Sequence, residues 1–112
     1  MTSTGEASGP LGTTLRVGTV KSCRPNDGAH HPAWVLEIDL GPHGVRNTSA
    51  RLTVRYQPED LVGRQVVVAT DLGVKRIAGV RSEVLVLGVA DSNGTTVLLQ
   101  PREKVPDGGL IH

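Results

Sequence analysis

Turn residues set the scale of every element in this chain. Fourteen glycines and seven prolines fall among 112 residues, which favours short strands over long helices. Between the turns, apolar and polar residues alternate with the period of two that lays one strand face on a core. AWVLEIDL places Trp34, Leu36, Ile38 and Leu40 inward and Val35, Glu37 and Asp39 outward. NTSARLTVRY places Ala50, Leu52, Val54 and Tyr56 on one side and Arg51, Thr53 and Arg55 on the other. GPHG, residues 41–44, joins them as a turn, so the two runs make an antiparallel pair. Upstream, LRVGTVKSC carries Leu15 and Val17 on one face and Val20 on the other, and Gly18 at the switch predicts a bulge.

QPEDLVG breaks the alternation. Pro58 suits the first helical position, and Glu59 and Asp60 favour the positive end of a helix. Gly63 then stops the helix within about one turn. RQVVVAT, residues 64–70, reads as a strand buried on both faces. DLGVKRIAG is a loop or short edge segment, and SEVLVLGV is a second fully apolar strand, central to the barrel. ADSNG ends in the Asn-Gly pair typical of hairpin turns, and TTVLLQ returns as the last strand. PREKVPDGGLIH is extended and irregular. Short strands, a curved first strand and a helical turn between the third and fourth predict an all-β, five-stranded Greek-key barrel, the OB-fold.

The length fits one domain. Residues 1–14 read as a disordered tail and residues 15–112 as the domain. Trp34 and Tyr56 are the only aromatic residues and 38% of the chain is hydrophobic, so the core is built from Val, Leu, Ile and Ala. A core this modest is helped by self-association. A single cysteine, Cys23, fits a reducing, cytoplasmic setting. No apolar run approaches the roughly 18 residues of a membrane span, and MTSTGEASGPLGTT lacks the features of a signal peptide.

Neither an enzyme nor a cofactor or metal site is expected. His30 and His31 are adjacent and would face opposite ways in a strand, and His43 and His112 have no companion ligands at useful spacing. Arg24 beside Cys23 could lower a thiolate pKa, but no histidine lies at a recognisable offset. Ser82-Glu83 lacks a nucleophile elbow. Charge is the remaining signal. The whole chain carries a formal +1, yet Arg46, Arg51, Arg55, Arg64, Lys75, Arg76 and Arg81 face only Glu59, Asp60 and Asp71 across residues 46–81. With so few aromatics, base stacking is a poor mode of recognition. A folded RNA read by phosphate, 2′-OH and shape needs only Arg, Lys, Ser and backbone groups. Arg51, Arg55, Lys75, Arg76, Arg81 and Ser82 could supply them.

LRVGTV, HPAWVLEIDLGP, SARLTVRYQPEDLVGRQVVV, SEVLVLGV and PDGGLI, in that order, resemble the CsaA-type proteins of the tRNA-binding-domain family. The resemblance implies an OB-fold, a homodimer, tRNA as partner, and a chaperone role toward unfolded or exported polypeptides. Related domains share Asn-Leu, then Lys, Gly and Ser-Glu-Gly-Met. Here Leu72, Lys75, Gly79, Ser82 and Glu83 match that pattern, and Val84-Leu85 replaces Gly-Met. Asp71 stands where Asn is usual, placing an acid beside the presumed RNA face. The expected RNA contacts are Arg51, Arg55, Lys75, Arg76, Arg81, Ser82 and Glu83. The alternative is a polypeptide-binding groove at a dimer seam, formed by the apolar strands 84–89 and 97–99.

Overall fold

The computed structural model describes residues 11–77 and 79–112. Residues 1–10 of the expected tail lie outside the described residues. Five antiparallel strands form the main sheet in the order β3-β2-β1-β4-β7: β1 is Leu15–Pro25, β2 Trp34–Asp39, β3 Val45–Ala50, β4 Gln65–Ala69 and β7 Leu85–Val86. Between them lie the hairpin of β5 (Lys75–Ile77) with β6 (Val80–Ser82), and the hairpin of β8 (Gly88–Ala90) with β9 (Thr96–Leu98) follows. The helical turn α1, Pro58–Leu61, separates β3 from β4. Pro58 opens it, the Gln57 N–H donates to Asp60 Oδ2 at 2.9 Å, and Gly63 leaves it at φ 88°. This is the OB-fold expected from the sequence.

β1 is long enough to pair with β4 through its first half and β2 through its second, which curves the sheet toward closure. The predicted bulge at Gly18 is not there. The β1–β4 ladder runs unbroken through Gly18↔Val66, and the irregularity falls between Val20 and Ser22. Gly18 serves close approach instead: a Cβ there would lie 2.6 Å from Ile38 Cγ2 and 2.9 Å from Asp39 O. The apparent change of face also has another origin. Val17 and Val20 are both buried because both sides of β1 are covered. The C-terminal residues act twice: Val105 and Asp107 meet the side chains of Thr19 and Gln65, and residues 108–111 pair along the edge of β1 that β2 leaves free. Val17 N–H donates to Gly109 O at 2.9 Å, Gly108 N–H to Val17 O at 2.7 Å and Ile111 N–H to Leu15 O at 2.8 Å. The same strap bonds Gln65 through Val105 and Asp107, so β4 is buried at every residue, as its sequence predicts.

Three further expectations are corrected. The run 47–56 is not one strand, because β3 ends at Ala50 and the chain turns, with Tyr56 N–H donating to Leu52 O at 3.0 Å. Leu52 and Tyr56 still reach the core, being four residues apart on a helical turn, but Val54 is 83% exposed. SEVLVLGV is not a central strand either. β7 is two residues long, the chain then departs as β8 to pair with β9, and Leu85 and Val89 are exposed. Val35, expected outward, is buried at 3% exposure, although outside the central core cluster.

That core is aliphatic: Val20, Leu36, Ile38, Leu40, Leu61, Val66 and Val68 are essentially inaccessible. Both aromatics are built into it. Trp34 Nε1 donates to Tyr56 O at 2.9 Å, and the Tyr56 hydroxyl accepts from Leu98 N–H at 3.0 Å. Cys23 packs against the same cluster, and burial pushes its thiol up in pKa, opposite to the effect expected of Arg24.

Candidate nucleic-acid interface

Barrel closure depends on the Ser-Glu step. β3 has β2 on one side, so the N–H groups on its other edge need partners. Ser82 and Glu83 provide them. Ser49 N–H donates to Ser82 Oγ at 3.0 Å, and Asn47 N–H donates to Glu83 Oε1 at 2.9 Å. Glu83 N–H returns a bond to Asn47 O at 2.8 Å, and Thr48 Oγ1 donates to Val84 O at 2.7 Å. The step thus joins the β5–β6 arm to β3. Replacing Ser82 by Ala leaves the Ser49 N–H without its acceptor and is expected to cost about 1–3 kcal/mol. Glu83→Gln keeps an acceptor oxygen, so urea denaturation should show it much nearer wild type than Ser82→Ala.

The closure also shapes a groove. A cavity of about 360 Å³ is lined by Thr48, Ser49, Leu72, Lys75, Ser82 and Leu85, among others. A second, of about 530 Å³, is lined by His30, His31, Ala33, Ser49 and Arg51 with the tip of the β1–β2 connection. Ser49 belongs to both walls, so the two adjoin across β3. In OB barrels this is the face, between the first connection and the fourth, that receives oligonucleotides.

The predicted cations do not all reach this groove. Cross-strand register pairs Lys75 with Ser82 and Arg76 with Arg81. Directly opposed residues share a face, so Lys75 and Ser82 front the groove while Arg76 and Arg81 occupy the reverse side of the same arm. All three cations are exposed, as is Arg51 at the groove's far wall. Arg55 is drawn away into an ion pair with Asp91. Backbone N–H bonds from Thr95 and Asn93, together with Arg55, hold the Asp91 carboxyl below its usual range. Arg64 is also structural: it lies 5.1 Å over the Tyr56 ring and donates to Gln100 Oε1 at 2.9 Å. Sequence reasoning missed Asn47, Thr48 and Ser49, which carry no charge and whose importance comes from their position on the open edge of β3.

Asp71 has a partner that the sequence did not show. Its carboxylate accepts from the Thr13 hydroxyl and from Thr14 N–H, the latter at 2.9 Å, while Thr70 N–H donates to Thr14 O at 3.0 Å. The Thr13 hydrogen bond holds the Asp71 carboxyl below its usual range. A depressed folded pKa adds stability above the unfolded carboxylate value of about 3.9 and loses it as pH falls through the folded value. Asp71→Asn should therefore melt below wild type at neutral pH, with the difference closing as the acid range is entered. Melting curves across the acid limb check this.

The architecture is an OB barrel whose third strand floors a groove with cations at both walls. Comparison with known proteins identifies its family. Residues 15–109 match the family described as putative tRNA binding domain, and the chain belongs to it. It is a CsaA-type member. The crystal structure of the chaperone CsaA from Bacillus anthracis is 43% identical, with a TM-score of 0.86 over 100% of this chain and 99% of that one. The CsaA chaperone protein from Picrophilus torridus is 32% identical, with a TM-score of 0.84 over the whole of both chains. Methionine–tRNA ligase of Methanothrix thermoacetophila is 42% identical over 94 residues, 84% of this chain and 14% of the ligase. The family is thus a binding domain that such ligases carry as a small part of an enzyme.

Proposed function

We propose that the chain binds tRNA as a homodimer, holding the folded RNA by its backbone and shape. The observation that carries this reading is the β5–β6 arm, which gathers Lys75, Arg76 and Arg81 beside the groove over β3. Lys75 and Arg51 reach phosphates from its two walls, and Arg76 and Arg81 extend the cationic surface behind the arm. Ser82 and Glu83 act by fixing the arm to β3, and the Ser82 hydroxyl also fronts the groove. With Trp34 and Tyr56 held in the core, recognition proceeds without an aromatic stacking platform. No helix among the described residues is long and apolar enough to cross a membrane. With tRNA as its partner, the protein acts in the cytoplasm. Exposed Val89, Leu99 and Leu110, which do not line the groove, offer apolar surface for self-association.

Anisotropy titrations with unmodified tRNA test the reading. Four phosphate contacts should give a log–log salt slope of about 3–4, and absence of binding at the lowest salt would sink it. Light scattering should give twice the 11.8 kDa chain mass. A monomer at all concentrations refutes the dimer. A second reading rests on the apolar lining of the smaller cavity, where Leu72 and Leu85 are 55% and 52% exposed. An unfolded polypeptide would lie there. Suppression of client aggregation that is lost in Leu72→Ser/Leu85→Ser but kept in Arg51→Gln favours it.

A further inference from the structure

The open end of the barrel holds a separate set of cations. Arg16 stands opposite Val68, and Arg46 opposite Ile38; both partners are core residues. Opposed residues share a face, so both arginines start on the core-facing side of the sheet, where an aliphatic residue would be expected. Both are half-buried. They converge on a cavity of about 310 Å³ walled by Thr14, Arg16, Leu40, His43, Arg46 and Thr70. A water's share of liquid volume is about 30 Å³, so the space admits an oxyanion with part of its hydration.

Neither arginine has a carboxylate partner among the described residues. Arg16 Nη1 donates to Gly108 O at 2.8 Å and Arg46 Nη1 to Val45 O at 3.1 Å. The acids of the neighbouring elements are engaged elsewhere. Asp39 accepts from Gly41 N–H, Asp107 from Thr19 and Gln65, Glu83 from Asn47 N–H, and Asp71 from Thr13 and Thr14. Asp71 is the one acid bonded to a residue of the wall, and it is tied there by Thr13 and Thr14.

Two half-buried guanidinium groups, an imidazole and the Thr70 hydroxyl, whose 3.5 Å contact to Thr14 O is long enough to be exchanged, match the donor set of a phosphate. Guanidinium forks fit its oxygens two at a time, and a half-buried cation gains more from a fixed anion than an exposed one does. We propose that this mouth is a phosphate-binding site, distinct from the groove over β3. It binds a phosphate dianion or monoester between Arg16 and Arg46, with His43 and Thr70 completing the contacts. The site does not require the groove to bind RNA.

The test uses the full chain labelled with ¹⁵N, titrated with inorganic phosphate against chloride at constant ionic strength. Saturable shifts of the Arg16 and Arg46 side-chain N–H and of the Thr70 amide are expected, with Arg51, Arg76 and Arg81 unmoved. Arg46→Gln should weaken phosphate about tenfold or more, the loss of a charge-assisted contact, while Arg51→Gln leaves it unchanged. A short oligonucleotide with and without a 5′-phosphate then separates the sources. Displacement of phosphate only by the phosphorylated form assigns the site to a nucleic-acid end. Binding of free phosphate alone assigns it to a small molecule. Shifts that never saturate, or that spread equally over all the arginines, overturn the proposal in the unmutated protein itself.

Discussion

Exchanging Lys75, Arg76 and Arg81 together for glutamine is expected to lower tRNA affinity by on the order of a thousandfold at low salt. Hydrogen bonds to charged groups contribute about 1.5–3 kcal/mol each, so each residue accounts for roughly tenfold or more. The salt slope should fall by about 2–3, since each lost phosphate contact removes close to one counterion. Folding should be unaffected, because all three side chains are exposed. Arg55→Gln is the matching control: Arg55 is paired with Asp91, so its loss should change affinity little and stability slightly. Equal losses from the triple exchange and from Arg55→Gln would show that the arm is not the recognition element. An unchanged affinity in the triple variant would remove the β5–β6 arm from the RNA path, leaving Arg51 as the cation of the groove.

Gly108→Ala is expected to have the largest effect on stability. Gly108 sits at φ +90°, and a Cβ there would lie 2.4 Å from Leu40 O and 3.1 Å from the His43 ring. Gly41 mirrors it from the other side, with φ +62° and a Cβ position 2.4 Å from Asp107 O. In both cases the obstacle is backbone, so no side chain can swing away. The left-handed conformation costs a non-glycine residue about 1–2 kcal/mol and overpacking about 1–3 more. A loss of about 2–5 kcal/mol is a large fraction of the stability of a small domain. Release of the strap would also expose the outer face of β4 and strip Gln65 of its partners at Val105 and Asp107. Hydrogen exchange should therefore show lost protection at Val17 and Ile111 first. A variant with wild-type stability would mean the strap can shift without cost, contrary to its paired geometry.

Much of the fold was legible because its signals are local. Alternation located β2, the β-branched run located β4, Pro58 and Gly63 bounded α1, and Asn93-Gly94 marked the β8–β9 hairpin. The errors share one cause. Alternation reports which residues are apolar, not how far a strand continues. Leu52 and Tyr56 continue the period of two on paper, yet their burial comes from a helical turn. Val84 to Val89 are all apolar or glycine, yet the strand divides, β7 pairing with β4 and β8 with β9.

The candidate site was half legible. Charge and exposure are properties of a residue, and Arg51, Lys75, Arg76 and Arg81 could be named as cations from the sequence alone. Their partners could not. Arg55 meets Asp91 and Arg64 meets Gln100, each 36 positions apart, so two of the expected free charges are engaged by distant groups. Asp71, an apparent threat to RNA binding, serves as an anchor for Thr13 and Thr14. Its substitution by Asn should raise tRNA affinity only about twofold to fivefold, the worth of one exposed charge.

What the sequence determined alone was the class of fold, the aliphatic core, the helical turn and the identity of the cations, because each follows from periodicity or residue chemistry within a few positions. Tertiary structure decided the role of Ser82-Glu83. Those two residues lie 33 and 36 positions from the β3 N–H groups they accept. A strand edge needs acceptors wherever the fold leaves it open, and only closure of the barrel shows which edge that is and which residues reach it.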